Sequence, residues 1–337
     1  MRTLITGGCG FVGANLIPIL LERDCELRVL DNLSLGSRDR VPVDVVDVLE
    51  GDVRDSDAVA RAAEGVEAVI HLAAFGNVAD SIVNPVENFD VNARGTLVAL
   101  EGAARAGARR FVFASTGGAL IGDAPAPVDE SSLPRPISPY GASKLCGEGY
   151  CHAFRGSYGL ETVALRFANV YGPRSEHKKG VVTSFVKHAL RSEPLVIYGD
   201  GSATRDFIYV DDLCSGIAAA LTSPAAEGVI HLASERETAI AELARLIIDI
   251  TGADVPIERV PRRRGEVERN FALARRAADL FGFRAAVSLE DGLATTVEWF
   301  AERVDGGVRS PSAGILPPRR GADGQRARSV RKRRGSS

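Results

Sequence analysis

The sequence predicts a doubly wound α/β fold, in which helices cover both faces of a parallel β-sheet. Short runs of β-branched and apolar residues alternate with helical stretches as far as about residue 166. Most of these runs are apolar on both faces, which is typical of strands buried between two layers of helices. A glycine-rich turn follows the first run directly, as expected where a strand of such a fold passes into its helix.

The predicted elements follow one another in a regular order. Strands are predicted at Thr3–Thr6, Leu27–Leu30, Val45–Leu49, Ala68–Leu72, Phe111–Ala114 and Thr162–Arg166. Helices are predicted at about Phe11–Arg23, Asp57–Ala63, Pro85–Ala106 and Pro139–Tyr158. Their alternation favours right-handed crossovers between parallel strands.

After Arg166 the alternation stops, and a smaller, mainly helical C-terminal domain is predicted. Further strands are expected at Phe207–Val210 and Val229–Leu232, a helix near Val182–Arg191 and another from Asp211. Two or three amphipathic helices and a short strand are expected from about residue 238 to 304. We therefore divide the chain into a sheet domain of residues 1–168 plus about 206–234 and a second domain of about 169–205 plus 235–304.

Composition excludes several classes of protein. The 337 residues are 45% hydrophobic and 25% charged, with a net charge of −3, which argues against a nucleic-acid-binding protein. The five cysteines form no C-x-x-C pair, so neither a disulfide framework nor a metal site is implied. No signal peptide and no transmembrane run is read, and a cytoplasmic protein without membrane contact is expected.

The last stretch, residues 305–337, has a different composition. It is rich in Gly, Pro, Ser and Arg and ends with the basic run Arg331–Arg334. A basic tail can bind nucleic acid or an anionic membrane. Because this composition buries little apolar surface, we expect a disordered basic extension instead.

The glycine-rich turn has the spacing of a dinucleotide-binding loop. Gly8, Gly10 and Gly13 follow a strand and open a helix, whose N-terminus can hold a pyrophosphate. Asp31 ends the second strand, where its carboxylate can bind the ribose hydroxyls of NAD and would repel the extra phosphate of NADP. Asp52 ends the third strand and either meets the adenine amino group or serves as a loop acid or helix cap.

The pair Tyr140 and Lys144 lies four residues apart on a predicted helix, and such residues share one face. A free tyrosine has a pKa near 10 and is a poor base at neutral pH, and lowering its pKa by one unit takes about 1.4 kcal/mol. A neighbouring ammonium supplies such stabilisation. Behind a dinucleotide loop, the pair predicts redox chemistry with Tyr140 as the base. His71, at a buried strand end, is predicted to be a core residue.

A set of motifs resembles the extended short-chain dehydrogenase/reductase superfamily, and within it the NAD-dependent nucleotide-sugar epimerase/dehydratase family. The motifs are residues 6–13 (TGGCGFVG), 31–32, 51–52, 71–74 (HLAA), 115–116, 140–144 (YGASK) and 166–174 (RFANVYGPR). They occur in order over about residues 1–304. The resemblance implies bound NAD, a nucleotide-sugar substrate and a homodimer built on the helices Pro85–Ala106 and Pro139–Tyr158.

The resemblance also implies the roles of individual residues. The cofactor would be bound by Gly7, Gly10, Phe11, Val12, Gly13, Asp31, Asn32, Asp52, Val53, Leu72, Ala73, Ala74, Asn92, Ser115, Tyr140 and Lys144. The substrate would be bound by Thr116, Tyr140, Asn169, Val182, Tyr198, Arg205, Arg263 and Glu266. Catalysis would fall to Tyr140 and Lys144 with Thr116.

Three reactions of such proteins begin with oxidation of the sugar at C4, and residues 117–119 distinguish them. Dehydratases resemble Thr-Asp-Glu here, and the glutamate of decarboxylases would align with Ala119, whereas this chain has Gly117-Gly118-Ala119. We therefore predict a UDP-sugar 4-epimerase. The alternatives are a UDP-glucuronate decarboxylase, an NDP-sugar 4,6-dehydratase and a non-enzymatic NAD sensor, which would usually lack the Tyr-Lys pair.

Two details stay open at the level of the sequence. Many epimerases have a catalytic Ser or Thr where Gly117 stands, so Thr116 or a water takes over that hydroxyl's work, or Tyr140 acts directly. The sugar is glucose/galactose by default. A glucuronate/galacturonate pair is a rival because Gly117 and Gly118 leave room and backbone N–H groups near C6, and N-acetylated sugars are a further alternative.

Overall fold

The centre of the molecule is a seven-stranded parallel β-sheet. The computed structural model describes residues 1–262 and 267–304. In chain order the strands of this part are β1 (Arg2–Thr6), β2 (Glu26–Asp31), β3 (Asp47–Glu50), β4 (Ala68–His71), β5 (Arg110–Thr116), β6 (Glu161–Phe167), β7 (Asn169–Tyr171), β8 (Leu195–Tyr198), β9 (Thr204–Tyr209), β10 (Gly228–Leu232), β11 (Glu237–Ala239) and β12 (Ile257–Val260). The large sheet has the order β10-β6-β5-β4-β1-β2-β3.

Helices cover both faces of this sheet. They are α1 (Phe11–Leu21), α2 (Ser56–Ala63), α3 (Val78–Val83), α4 (Pro85–Phe89), α5 (Gly95–Arg105), α6 (Gly118–Ile121), α7 (Pro139–Tyr158), α8 (Val181–Leu190), α9 (Val210–Thr222), α10 (Ile240–Thr251), α11 (Arg275–Phe281) and α12 (Leu289–Val304), with a 3₁₀ turn at Arg38–Arg40 and a π-helical turn at Asp90–Arg94. Separate apolar clusters lie on the two faces, one around Ile5 and Val29 and the other around Leu4 and Phe111. The predicted doubly wound fold is confirmed.

The strand order reverses direction between β1 and β4, and this position determines where a ligand can bind. From β1 the chain proceeds outward through β2 and β3, then returns to β4 on the other side of β1. The connections therefore leave a crevice at the carboxyl ends of β1 and β4, which is the usual ligand site of such sheets.

The predicted helix Pro85–Ala106 is confirmed as a continuous helical stretch from Pro85 to Arg105 that contains the π-helical turn, and the buried amide of Asn92 within that turn bonds to the backbone of Phe75. One sequence prediction needs correction. The strand predicted at Phe207–Val210 exists as β9, but it pairs with β7 and β11 in a second sheet. An apolar run indicates a buried strand without indicating its sheet, because the pairing depends on distant segments.

The second sheet and the C-terminal helices form a third core. Phe185 of α8, Leu243 of α10 and Leu293 of α12 meet there, each at most 2% exposed. The smaller C-terminal part is therefore mainly helical, as predicted, and we retain its role as the substrate-binding domain as a proposal. None of the helices in residues 1–262 and 267–304 is long and apolar enough to cross a bilayer. Arg263, Glu266 and the tail 305–337 lie outside the described residues.

Candidate active site

The glycine-rich turn after β1 has a backbone that other residues would disturb. Gly7 has φ +71°, and a Cβ built on it would lie 2.7 Å from the backbone nitrogen of Ala73. A Cβ on Gly13 would lie 2.5 Å from the Cα of Gly8. The first contact brings the turn against the segment after β4, and the second brings α1 against the turn.

The N-terminus of α1 is available to an anion. The helix begins at Phe11, and Gly10 provides no side chain to cap it. The N–H groups of Phe11, Val12 and Gly13 belong to a first turn that lacks helical partners. Because the helix dipole places partial positive charge there, a pyrophosphate fits this end.

Asp31 lies beside the turn at the end of β2. Its carboxylate accepts hydrogen bonds from the backbone nitrogens of Cys9, at 2.9 Å, and Leu33, at 2.8 Å. Burial raises the pKa of Asp31, and these two bonds oppose that effect. The carboxylate is thus held next to the first helix of the fold, and the turn, the helix end and Asp31 together fit a dinucleotide.

The predicted adenine-side residues are linked to one another. Asp52 accepts hydrogen bonds from the side chain of Asn32, at 2.9 Å, and from Arg54. The Arg54 guanidinium holds the pKa of Asp52 far below its usual range. Val53 is 6% exposed and packs in the apolar core, so it supports Asp52 from the protein interior.

The segment after β4 is braced from inside the protein. Leu72, Ala73 and Ala74 are half-buried at the crevice. Asn92, which was predicted to line this path, is 0% exposed. Its Oδ1 accepts from the nitrogen of Phe75 at 2.8 Å, and its Nδ2 donates to the hydroxyl of Ser143 at 3.1 Å. Asn92 therefore holds the segment after β4 in place from the protein interior.

The structure brings Tyr140, Lys144 and Thr116 together. Ser138 caps α7 through the nitrogen of Gly141, so Tyr140 stands in the first turn of that helix. The hydroxyl of Thr116, at the end of β5, lies close enough to the phenol to lower its pKa. The Nζ of Lys144 lies 6.0 Å from the centroid of the Tyr140 ring and donates to the carbonyl of Ala114 at 2.8 Å.

Burial shifts both titratable groups of this pair. It raises the pKa of Tyr140 to about 12, and the nearby hydroxyl of Thr116 opposes this rise. It lowers the pKa of Lys144 to about 8. Without a ligand the phenol is therefore harder to ionise than free tyrosine, and further positive charge beside it is needed to make it act near neutral pH.

Two residues near the pair have bonding partners inside the protein. The hydroxyl of Ser115, predicted to approach the cofactor, donates to Glu148 at 2.6 Å and is buried. The N–H of Gly117, predicted to be available near the sugar, donates to the carbonyl of Phe167 at 3.0 Å. A Cβ on Gly117 would lie 3.4 Å from the ring of His231, which is an ordinary contact, and one on Gly118 would lie 3.1 Å from Asn270, which is tight.

Four of the predicted substrate residues, Asn169, Val182, Tyr198 and Arg205, lie on the second part of the molecule. Asn169 of β7 is exposed and donates to the carbonyl of Asp206, next to Arg205 on the paired strand β9. The half-buried Arg205 donates to the carbonyl of Thr204 at 2.7 Å. Val182 of α8 is 5% exposed, and Tyr198 ends β8 with 37% exposure. Asn169 and Arg205 are thus near neighbours.

His71 is a satisfied core residue, as predicted. Its ring nitrogens are 2.7 Å from the hydroxyl of Thr6 and 3.0 Å from that of Thr96, and burial lowers its pKa to about 3. The sequence reasoning missed Glu148 and Arg166, which form a buried ion pair beside Lys144. Glu148 could have been noticed, because it is the next residue at four-residue spacing after Tyr140 and Lys144.

Comparison with known proteins identifies the family. The model of the NAD dependent epimerase/dehydratase family matches residues 3–233. The chain is similar to a UDP-glucose 4-epimerase of Mycolicibacterium smegmatis, with 36% identity over 312 residues that cover 90% of this chain and 99% of the relative. It is also similar in structure to the UDP-glucose 4-epimerase of Thermotoga maritima solved with UDP-glucose, with TM-score 0.87, 36% identity and coverage of 90% and 100%. The UDP-glucose 4-epimerase of Thermus thermophilus in complex with NAD gives TM-score 0.85, 37% identity and coverage of 91% and 100%.

These matches confirm the family that the sequence motifs resemble. The family model covers more than half of the chain, and each of the three relatives is covered almost completely. The chain belongs to the NAD dependent epimerase/dehydratase family.

Proposed function

We propose that the protein is a UDP-sugar 4-epimerase that uses NAD and interconverts UDP-glucose and UDP-galactose. One observation carries the proposal: the phenol of Tyr140 lies beside Thr116 and the ammonium of Lys144, while residues 117–119 provide no acid. The relatives named for this reaction support the choice of substrate.

The residues around the crevice account for the steps of such a reaction. Bound NAD supplies a hydride acceptor and donor, and its nicotinamide carries a positive charge. Tyr140 takes the proton of the sugar 4-hydroxyl and later returns it to the 4-keto group. Lys144 stabilises the phenolate by its charge, and the hydroxyl of Thr116 lowers the pKa of the phenol. Asn169 and Arg205 are placed to hold the diphosphate, for which a guanidinium is well suited.

The family also contains dehydratases, so relatedness alone does not choose the reaction. Elimination of water or loss of a carboxylate needs an acidic side chain near the sugar, and the turn from β5 into α6 has none at residues 117–119. A hexuronate is disfavoured because the N–H of Gly117 already donates to the carbonyl of Phe167, and because Asn270 lies close beside Gly118. Neutral hexoses are therefore the proposed substrates.

We expect the purified protein to convert UDP-galactose to UDP-glucose without added NAD and without net release of NADH. The cofactor ends each cycle as it began, because the hydride leaves and returns at one carbon. Products are measured by chromatography and by NMR of the sugar protons, with UDP-glucuronate tested in parallel. A 4-keto-6-deoxy sugar or a UDP-pentose as the main product would contradict the proposal. Turnover of UDP-glucuronate alone would move the assignment to the hexuronates.

We also propose a homodimer, because large apolar side chains are exposed on neighbouring helices. Val83 of α3 is 76% exposed, Val86 and Phe89 of α4 are 74% and 55% exposed, and Tyr150 of α7 is 38% exposed. The three helices pack against one another, so these side chains lie on neighbouring elements. Exposed apolar surface of this kind is typical of a protein interface, and a second copy of the chain is the partner that the helices imply.

The dimer can be tested by sedimentation. The wild type is expected to sediment as a dimer at micromolar concentration, and the double variant Val86→Glu/Phe89→Glu as a monomer, because two buried charges would face the partner. Leu133→Glu is the matched control, since Leu133 is 66% exposed on a loop outside these helices and should leave the dimer intact. A monomeric wild type would exclude the proposal.

A further inference from the structure

Two consecutive residues of β5 are bonded to different residues of α7, and a third lies beside another. The carbonyl of Ala114 accepts from Lys144 at 2.8 Å, and the hydroxyl of Ser115 donates to Glu148 at 2.6 Å. The hydroxyl of Thr116 lies close enough to the phenol of Tyr140 to lower its pKa. Because Tyr140, Lys144 and Glu148 are spaced by four residues, they lie on the same face of the helix, and the two bonds align that face with the strand end.

The bond that involves Glu148 is reinforced from a second strand. Arg166 of β6 lies opposite Ser115 in the sheet and donates to both carboxylate oxygens of Glu148, at 2.9 and 2.8 Å. The side chains of Arg166 and Glu148 are only 4% and 6% exposed. A bidentate pair with this little exposure has a fixed geometry, and breaking it would leave a buried charge without a partner.

We propose that Glu148 is a positioning residue for the reaction, which fixes Lys144 and Tyr140 against β5 and keeps a negative charge near the ammonium of Lys144. The pair with Arg166 holds the carboxylate in place, and Ser115 couples it to the strand that carries Thr116. Glu148 is not among the residues predicted to bind the cofactor or the substrate, so it acts through Tyr140 and Lys144 on the same face of α7. The expected effect on kcat rests on the proposed function, whereas the expected effect on the pKa of Lys144 does not.

The groups around Lys144 determine its pKa. The groups that face it are Tyr140, Glu148 and Cys151 on α7, the ring of Phe113 on β5 at 4.9 Å, and His71 on β4, whose pKa Lys144 lowers. Burial lowers the pKa of Lys144, while Cys151 and Glu148 oppose that effect. The Cys151 thiol is neutral at working pH because burial raises its pKa far above the usual range. Glu148 is thus the carboxylate among these groups that raises the pKa of Lys144.

The test uses Glu148→Gln, which keeps the shape and removes the charge, and Ser115→Ala, which cuts the bond to β5 and leaves the ion pair. The chain has five lysines, so NMR of ε-¹³C-labelled lysine can follow Lys144 directly, with Lys144→Arg to assign its signal. We expect Glu148→Gln to lower the pKa of Lys144 by about one unit. We expect both variants to lower kcat at least about fivefold, with KM nearly unchanged. In the plot of kcat against pH, we expect the alkaline limb of Glu148→Gln to move to lower pH.

The control is Glu227→Gln, which removes the exposed partner of Arg155 on the same helix and should change none of these quantities. An unchanged pKa of Lys144 in Glu148→Gln would overturn the proposal whether or not the wild type is an epimerase. A lower melting temperature with normal kcat and pH profile would also overturn it, since the network would then only support the fold. Should Glu148→Gln not fold, Ser115→Ala decides by its kcat alone. An inactive wild type with the expected pKa shift would refute the proposed reaction and leave the positioning of Lys144 intact.

Discussion

Tyr140→Phe is expected to lower kcat by roughly 10³-fold, within the range of loss for a general acid–base group. The substitution removes only the phenolic oxygen, which is the atom that exchanges a proton with the sugar. The ring stays in the first turn of α7, so binding of NAD and of UDP should change by less than about threefold. Turnover is measured at saturating UDP-galactose, and binding by calorimetry.

A matched control lies on the same helix. Tyr150→Phe removes a phenolic oxygen from a side chain that is 38% exposed and has no place in the proposed reaction, so its kcat should equal that of the wild type. Near-normal turnover by Tyr140→Phe would remove Tyr140 as the base. Loss of NAD binding together with activity would indicate that the phenol holds the cofactor instead of transferring protons.

Local patterns were enough to predict the sheet and the binding loop. The run Thr3–Thr6 is apolar and is followed directly by glycines, so both the strand and the turn into α1 are encoded within about ten residues of sequence. The helix Pro139–Tyr158 is likewise bounded by local signals, with Ser138 and Pro139 at its start and Gly159 in the left-handed conformation at its end. The alignment of Tyr140 with Lys144 follows from this helix.

Contacts between distant segments could not be predicted in the same way. The pairing of β9 with β7 and β11, the bond from Gly117 to Phe167 and the ion pair of Glu148 with Arg166 each join separate parts of the chain. The neighbours of Gly117 and Gly118 could not be predicted for the same reason, since His231 and Asn270 come from later segments. A glycine in the sequence shows that a side chain is missing but not what fills its place.

Lys144→Met is expected to make the cofactor-free protein more stable and to make the enzyme nearly inactive. Lys144 is 3% exposed, and burial lowers its pKa from 10.5 to about 8. At pH 7 the lysine is charged in both the folded and the unfolded chain, so the cost of burying that charge is fully present, at about 3 kcal/mol. Removing the bond to Ala114 costs about 1 kcal/mol. The variant should therefore gain roughly 2 kcal/mol in free energy of unfolding at pH 7.

The gain in the free energy of unfolding should depend on pH, because the pKa of Lys144 is lower in the folded protein than in the unfolded chain. As pH rises from about 8 to 10.5, the folded wild type loses the proton of Lys144 before the unfolded chain does, so this residue's destabilising effect on the wild type is progressively released. The difference between wild type and variant should accordingly shrink between pH 7 and pH 9.5 in urea unfolding of protein stripped of cofactor. Lys179→Met is the control, because the Lys179 side chain is 68% exposed and its loss should change stability by less than about 0.5 kcal/mol.

The kcat of Lys144→Met should fall by roughly 10²-fold or more, since the phenolate of Tyr140 loses its neighbouring cation. A variant that is less stable than the wild type at pH 7 would show that burial of the Lys144 ammonium does not destabilise the fold, and the account of how this pair is activated would have to change.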